Sequence, residues 1–137
     1  MVSHSEDSRG LLDTSVLIAI EQGRPLRVES MPETAAISVV TKAELRVGIF
    51  AAEDIETRDR RLMTFELASR IVSLPVDEAV SRAWAQMRAY VGASGRGVRI
   101  NDMWIAATAA AHRIPVVTQD DDFDALSGVA GLTVIPV

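Results

Sequence analysis

Short apolar segments alternate with longer helical segments along this chain, and no other feature of the sequence constrains the fold as strongly. The predicted strands are 11–12, 35–38, 71–74, 116–118 and 132–135. The predicted helices between them are 15–22, 40–52, 54–69, 77–91 and 101–112. Strands separated by helices pair in parallel, and the helices then cover both faces of the sheet. The pattern therefore predicts an α/β protein with a short-stranded, mainly parallel central sheet.

The chain has 137 residues, a length typical of one domain. Residues 1–10 are polar and are expected to form a flexible N-terminal leader, so the folded domain is expected to span 11–137. The longest segments without charge, 103–112 and 125–137, are both shorter than a membrane span, which needs about 20 apolar residues. The first residues also lack the apolar centre of a signal peptide. We expect a cytoplasmic protein that does not associate with a membrane.

Composition limits the kind of metal site that this chain can form. It has no cysteine and only two histidines, which excludes thiolate sites and histidine-rich sites. A metal would have to be held by oxygen atoms, the ligands that Mg²⁺ and Mn²⁺ prefer. The net charge of −5 argues against a broad basic surface for nucleic acid. It does not exclude a nuclease whose carboxylates are neutralised by a metal.

Two acidic residues follow predicted strands. Asp13 comes directly after 11–12, and Asp120 comes two residues after 116–118. Active sites in open parallel sheets form at the carboxyl ends of the strands. Each acid also has a purely structural interpretation: Asp13 as the cap of the next helix, and Asp120 as part of an acidic turn.

Glu44 stands out because of its position on a predicted helix. At 100° per residue, Lys42 and Arg46 share one face. Glu44 lies nearly opposite them, on a face with small and apolar residues: Val40, Val47, Gly48 and Ala51. We therefore expect Glu44 to be buried or half-buried, where a carboxylate needs a metal, a hydrogen-bond network or an ion pair with an arginine.

Asp102 begins an alanine-rich helix whose next residues, 103–111, carry no charge. A carboxylate at a helix N-terminus is stabilised by about 0.3–1 kcal/mol, which alone explains an acid at this position. The alternative is that the separated acids converge at one edge of the sheet. Such a cluster repels itself unless a cation binds, and carboxylate-held divalent cations serve phosphodiester hydrolysis.

Three segments together resemble a known family. LLDTSVLIA (11–19), ISVVTKAELRVGI (37–49) and INDMWIAATAAAHRIPVVTQDDDF (100–123) are similar, in order and spacing, to PIN-domain ribonucleases of the VapC toxin type. The resemblance covers nearly all of the chain from Leu11 onward. It implies a PIN-domain α/β/α sandwich and Mg²⁺- or Mn²⁺-dependent hydrolysis of RNA.

The resemblance also implies which residues form the site. The implied metal ligands, of which all but the last are also catalytic, are Asp13, Glu44, Asp102, Asp120 and Asp122. The resemblance leaves open whether Asp120 or Asp122 is the fourth ligand, and it leaves out Asp121. Thr14 and Thr118 are expected to support these ligands through hydroxyl hydrogen bonds. Arg96 and Arg99, in a glycine-rich loop, are candidate RNA contacts, although a solvated loop explains them equally well.

Partners follow from the same resemblance. They are an RNA substrate, with a loop of tRNA or rRNA expected, and a cognate VapB-type antitoxin, with helices over 40–70 as its expected docking groove. The toxin is expected to be a homodimer and to meet DNA only through the antitoxin. The alternative function is a catalytically weak PIN-fold module for binding and dimerisation, which acts with the antitoxin in autoregulation.

A receiver domain is a rival α/β fold with acids at strand ends. It requires paired acids after the first strand and a lysine after the last. This chain has the single Asp13 after the first strand, and its only lysine, Lys42, lies on a predicted helix. The sequence therefore does not fit a receiver domain.

Overall fold

The computed structural model describes residues 8–94 and 97–137, which form alternating strands and helices. The strands are β1 (Arg9–Leu12), β2 (Thr34–Ser38), β3 (Val72–Leu74), β4 (Val116–Thr118) and β5 (Val134–Pro136). The helices are α1 (Thr14–Gln22), α2 (Val39–Phe50), α3 (Ile55–Ser69), α4 (Glu78–Ser94) and α5 (Ile100–Ala111). Short 3-10 helices lie at Val28–Ser30, Asp121–Leu126 and Val129–Gly131. In the part of the chain described, no helix has the length and apolar character to cross a membrane.

The sheet has the order β3-β2-β1-β4-β5, and each neighbouring pair is parallel. β1 is central: Leu11 pairs with Ala36 of β2 on one side and with Val116 of β4 on the other. The predicted α/β class with a mainly parallel sheet is confirmed. Because all strands are parallel, their carboxyl ends meet at one edge.

Helices pack on both faces of this sheet. Leu11 belongs to a buried cluster with Met87 of α4 and Ile105 of α5. Leu12, the next residue, belongs to a second cluster with Leu17 of α1 and Ala68 of α3. Successive strand residues point to opposite faces, so β1 contributes to both cores. The α/β/α sandwich is confirmed.

Several element bounds differ from the sequence expectation. β1 begins at Arg9, so Arg9 and Gly10 pair with β2, whereas the sequence analysis assigned them to the leader. A Cβ on Gly10 would lie 2.8 Å from Val117 Cγ2, so only glycine fits this close approach. Residues 1–7, the rest of the expected leader, lie outside the described residues.

Two other bounds differ near the chain's end. α4 continues to Ser94, into the expected glycine-rich loop. The final strand is Val134–Pro136 rather than 132–135, because Ala130 and Gly131 adopt positive φ angles and turn the chain first.

Candidate metal centre

The carboxyl edge of the sheet brings acidic side chains from distant parts of the chain together. Asp13 follows β1 and Asp120 follows β4, as the sequence indicated. Asp102 lies in the first turn of α5. Glu44 lies within α2, which begins where β2 ends. These four acids therefore lie near the carboxyl ends of β1 and its two neighbours in the sheet, β2 and β4.

Asp13 is buried, with only 2% of its surface exposed. It is the N-cap of α1, since its Oδ2 accepts a hydrogen bond of 3.3 Å from Ser15 N. The same oxygen accepts a hydrogen bond of 2.9 Å from Thr118 Oγ1. Burial raises the pKa of Asp13, and the hydrogen bonds from Ser15 and Thr118 oppose that rise. The capping interpretation is therefore correct, and it does not remove Asp13 from the acidic cluster.

Asp102 carries the largest electrostatic perturbation of the cluster. Burial raises its pKa most, the negative charges of Asp13, Asp120 and Glu44 raise it further, and Arg99 opposes the rise; the pKa that results is about 7. Asp102 is 8% exposed, and its Oδ2 is buried without a hydrogen-bond partner among the described residues. A buried carboxylate oxygen without a partner is costly, so a bound cation would stabilise this position.

Asp102, Asp120 and Asp122 form the tightest group of acids. One carboxylate oxygen from each residue lies within 4.8 Å of those from the other two. The 3-10 helix Asp121–Leu126 explains how two of them meet: Asp120 Oδ1 caps it by accepting a hydrogen bond of 3.0 Å from Asp122 N. Asp120 is half-buried and Asp122 is exposed. Both candidates for the last ligand therefore face Asp102, and Asp121 is not in the group.

Glu44 is half-buried, in agreement with the expectation from its helix. Its Oε1 accepts a hydrogen bond of 2.6 Å from Thr14 Oγ1, and its Oε2 lies 3.4 Å from the donor Asn101 Nδ2. The predicted face was partly wrong, because Val47 is 65% exposed and the buried residues of α2 are Thr41 and Leu45. Glu44 lies between these two residues in the sequence of α2, and its negative charge raises the pKa of Asp102.

Hydroxyl groups organise the acids. Thr14 bonds Glu44, and Thr118 bonds Asp13 while its Oγ1 accepts a hydrogen bond of 2.8 Å from Asp120 N. Sequence reasoning missed Ser15, whose Oγ lies 3.2 Å from Thr118 Oγ1 and accepts a hydrogen bond of 3.0 Å from Gln119 N. The run of two hydroxyl residues after Asp13 was the available indication.

The candidate RNA-binding arginines were Arg96 and Arg99. Arg99 is the exposed residue directly before α5, and its charge reaches Asp102, whose pKa it lowers. Arg96 lies outside the described residues.

The residues of this edge fit a hard divalent cation. They offer only oxygen atoms as metal ligands, and one oxygen of Asp102 has no hydrogen-bond partner among the described residues. Neutralisation by an internal arginine, the alternative for Glu44, is not observed, since the ion pair found within 8–94 and 97–137 joins Arg82 to Glu78 at the surface. Glu44 instead accepts hydrogen bonds from Thr14 and Asn101, and a bound cation would balance the remaining negative charge of the cluster.

Comparison with known proteins places this site in a family. The family model described as PIN domain matches residues 10–129. Ribonuclease VapC5 of Mycobacterium tuberculosis is 52% identical over 128 residues, which cover 93% of this chain and 95% of the relative. Ribonuclease VapC4 of the same organism is 45% identical over 92% of this chain and 97% of its own length. The chain therefore belongs to the PIN-domain family, and within it to the VapC-type proteins.

A solved structure supports the same assignment. VapBC-5 of Mycobacterium tuberculosis, a member of the VapBC family of toxin–antitoxin systems, contains a chain that superposes with a TM-score of 0.89 at 48% identity. The match covers 95% of this chain and 99% of that one. The resemblance identified from the sequence is confirmed.

Proposed function

We propose that this chain is a metal-dependent endoribonuclease toxin that hydrolyses phosphodiester bonds in RNA. The observation that carries the proposal is the buried Asp102 carboxylate, which has one oxygen without a partner and a pKa raised to about 7 among three other acids. Groups with strongly perturbed pKa values, clustered at the carboxyl edge of a sheet, are typical of catalytic sites. Relatives at 52% and 45% identity are named ribonucleases, which supports the same activity here.

Mg²⁺ or Mn²⁺ is the proposed cofactor, with the ligands Asp13, Glu44, Asp102, Asp120 and Asp122. When bound, such a cation lowers the pKa of water and neutralises charge that develops on the phosphate. The chain itself supplies the orientation: Thr118 holds Asp13 and the backbone of Asp120, and Thr14 holds Glu44.

Among the described residues, carboxylates are the side chains placed to accept a proton from the attacking water. His112 follows the last residue of α5, at the opposite end from Asp102, and its Nδ1 lies 2.9 Å from the Thr108 carbonyl oxygen. No other histidine lies within the described residues, because His4 is outside them.

Inhibition by a VapB-type antitoxin is the second part of the proposal. α2 and α3 expose large apolar side chains, including Phe50 (81%), Val47 (65%) and Met63 (62%). Large apolar side chains exposed on two helices that pack together favour a docked partner, and an amphipathic helix laid in a groove is a common form of such docking. The similar solved structure comes from a toxin–antitoxin system, which supports this kind of partner. The homodimer, the tRNA or rRNA loop and the cytoplasmic location remain predictions.

The alternative is a catalytically weak PIN-fold module that acts with its antitoxin in autoregulation. Both functions require the fold and the docking surface. Only the nuclease requires the acids to turn over RNA, so activity is the property that separates them.

The test is cleavage of end-labelled total RNA, with tRNA and rRNA included, by the protein freed of antitoxin under denaturing conditions and refolded. We expect discrete products in Mg²⁺ or Mn²⁺, none in EDTA, and none with Asp102→Asn. Asp59→Asn is the matched control, because it removes the same charge from an exposed position on α3. If refolded protein binds Mn²⁺ but gives no products from any RNA, the binding module is the better description.

A further inference from the structure

A pocket of about 390 Å³ opens directly beside the metal centre. We call it the α1–α2 pocket, and the residues that matter in it are Thr14, Glu21, Glu44, Gly48 and Arg61. Thr14 and Glu44 also belong to the metal centre, so the two sites are continuous. Glu21 lies two helical turns after Thr14, and the pocket therefore extends about 10 Å along α1 from the acids.

Arg61 of α3 is a fixed cation in this pocket. Its Nη1 donates a hydrogen bond of 2.5 Å to the Gly48 carbonyl oxygen. Gly48 lies one turn after Glu44 on α2, which places the guanidinium one turn from the metal centre. A guanidinium has five N–H donors, and among the described contacts only this one is satisfied by the protein. Arg61 is thus available to an anionic acceptor.

Glu21, on the α1 side of the pocket, lacks a hydrogen-bond donor to one of its oxygens. Its Oε1 is buried and has no hydrogen-bond partner among the described residues. Glu21 and Arg61 line the same pocket, yet the ion pair found in the described chain does not join them. An unpartnered buried acceptor is costly, so a ligand that donates a hydrogen bond here is favoured.

A ribonucleotide satisfies both residues at once. Its phosphate accepts hydrogen bonds from a guanidinium, often in pairs. Its 2′-hydroxyl donates a hydrogen bond, and DNA has no such group. We propose that Glu21 and Arg61 form a ribose–phosphate subsite for the nucleotide next to the cleaved bond, with Arg61 positioning the strand and Glu21 selecting RNA over DNA. The inference rests on the proposed nuclease function and names two substrate-recognition residues for it.

A peptide with neighbouring acidic and basic side chains would offer similar groups. Two observations favour RNA. The pocket borders Glu44 of the metal centre, and the exposed apolar residues proposed for the antitoxin, such as Phe50 and Met63, do not line it.

The experiment measures binding of a fluorescein-labelled, mixed-sequence single-stranded RNA 12-mer and of its all-deoxy counterpart, in Ca²⁺ and at several salt concentrations. Arg61→Gln is expected to weaken the binding of both oligonucleotides about tenfold. It is also expected to lower the salt slope, the steepness with which log affinity falls with log salt concentration, by about one. Arg61→Lys is expected to restore the salt slope but only part of the affinity, because lysine keeps the positive charge but lacks the paired N–H donors of a guanidinium. Glu21→Gln is expected to reduce the preference for RNA over DNA about tenfold while DNA binding is retained.

Exposed residues of α3 supply the controls: Arg58→Gln and Glu66→Gln remove the same charges and are expected to bind as wild type does. Equal melting temperatures show that each variant is folded. The subsite is overturned if Arg61→Gln keeps the salt slope of Arg58→Gln, or if Glu21→Gln keeps the RNA preference. It is also overturned if these variants weaken only the binding of a co-expressed antitoxin.

Cleavage of total RNA in Mn²⁺ by the same proteins separates the two proposals. If wild type cleaves and the Arg61 and Glu21 variants cleave with unchanged KM, the subsite fails and the nuclease stands. If the variants change RNA binding as expected but wild type never cleaves, the subsite stands and the nuclease fails.

Discussion

Thr118 Oγ1 donates a buried hydrogen bond of 2.9 Å to Asp13 Oδ2, across 105 positions of sequence. The bond joins the ends of β4 and β1, the two strands at the centre of the site. It favours the charged form of Asp13, whose pKa burial raises. Thr118 therefore helps to keep a buried carboxylate available as a ligand.

Replacement of Thr118 by valine removes this donor and keeps the shape of the side chain. We expect Mn²⁺ affinity and RNA cleavage to fall about 10- to 100-fold, as is usual when a partner of a metal ligand is lost. We expect the free energy of unfolding to fall by about 1–3 kcal/mol, because Asp13 is left with fewer donors. Calorimetric titration with Mn²⁺ and denaturant unfolding measure the two effects.

Two variants separate this effect from general damage. Thr118→Ser keeps the hydroxyl and should recover most of the metal affinity. Thr133→Val makes the same change at an exposed position before β5 and should behave as wild type. Unchanged Mn²⁺ affinity in Thr118→Val would show that the bond does not support the site.

The raised pKa of Asp102 predicts how stability depends on pH without metal. In the folded state the pKa of Asp102 is about 7, whereas the ordinary pKa of an aspartate is 3.8. Between these values the folded state binds more protons than the unfolded state, so the free energy of unfolding falls as pH rises. We expect a loss on the order of 2 kcal/mol in EDTA, less than the full shift implies because water at the mouth of the site screens the charge.

Asp102→Asn tests this origin. Asparagine carries no charge at any pH, so the free energy of unfolding of the variant should fall much less between pH 4 and about 7. Above about pH 7, in EDTA, the variant should be more stable than wild type. Urea unfolding at several pH values gives the comparison. A wild-type protein whose stability rises with pH across this interval would contradict the assignment.

The sequence predicted the fold well because the strand-and-helix alternation is a local pattern that burial on both faces of a sheet reinforces. It also placed Asp13 and Asp120, since a strand end is visible in the chain itself. The helical wheel predicted that Glu44 is half-buried but misassigned Val47, because the direction of the core is set by β2 and not by α2 alone.

Other features depend on contacts that no local pattern contains. Ser15 meets Thr118 and Gln119 only because β1 and β4 are neighbours in the sheet. The unpartnered oxygens of Glu21 and Asp102 are likewise properties of the packed molecule. The left-handed turn at Ala130 and Gly131, which delays β5, lacks an unambiguous sequence pattern for the same reason.

Three adjacent acids, Asp120, Asp121 and Asp122, are close enough in the sequence to supply the fourth metal ligand. Asp120 and Asp122 offer oxygens to the group with Asp102, whereas Asp121 does not. We expect Asp120→Asn and Asp122→Asn each to weaken Mn²⁺ binding by about tenfold or more, with the larger effect at the half-buried Asp120, where screening by water is weaker. Asp121→Asn is the matched control and should bind as wild type does. Equal losses in all three variants would indicate that only the summed charge of the turn matters.

The exposed apolar face predicts how inhibition can be separated from catalysis. Phe50 is 81% exposed at the end of α2, so Phe50→Asp should change the free energy of unfolding by less than about 0.5 kcal/mol. An aromatic anchor buried at an interface contributes strongly, and we expect antitoxin affinity to fall about tenfold or more. RNA cleavage by the free protein should be unchanged, because Phe50 contacts neither the acids nor the α1–α2 pocket.

Val28→Asp is the control for that variant, since Val28 is 76% exposed and belongs to the 3-10 helix Val28–Ser30 rather than to α2 or α3. Titration of each variant with the cognate antitoxin, followed by binding and by residual RNA cleavage, gives both readouts. If Val28→Asp releases the antitoxin and Phe50→Asp does not, the partner docks beside α1 instead. Inhibition would then act through the cavities that Arg24 and Arg27 line beside Asp120, rather than through α2 and α3.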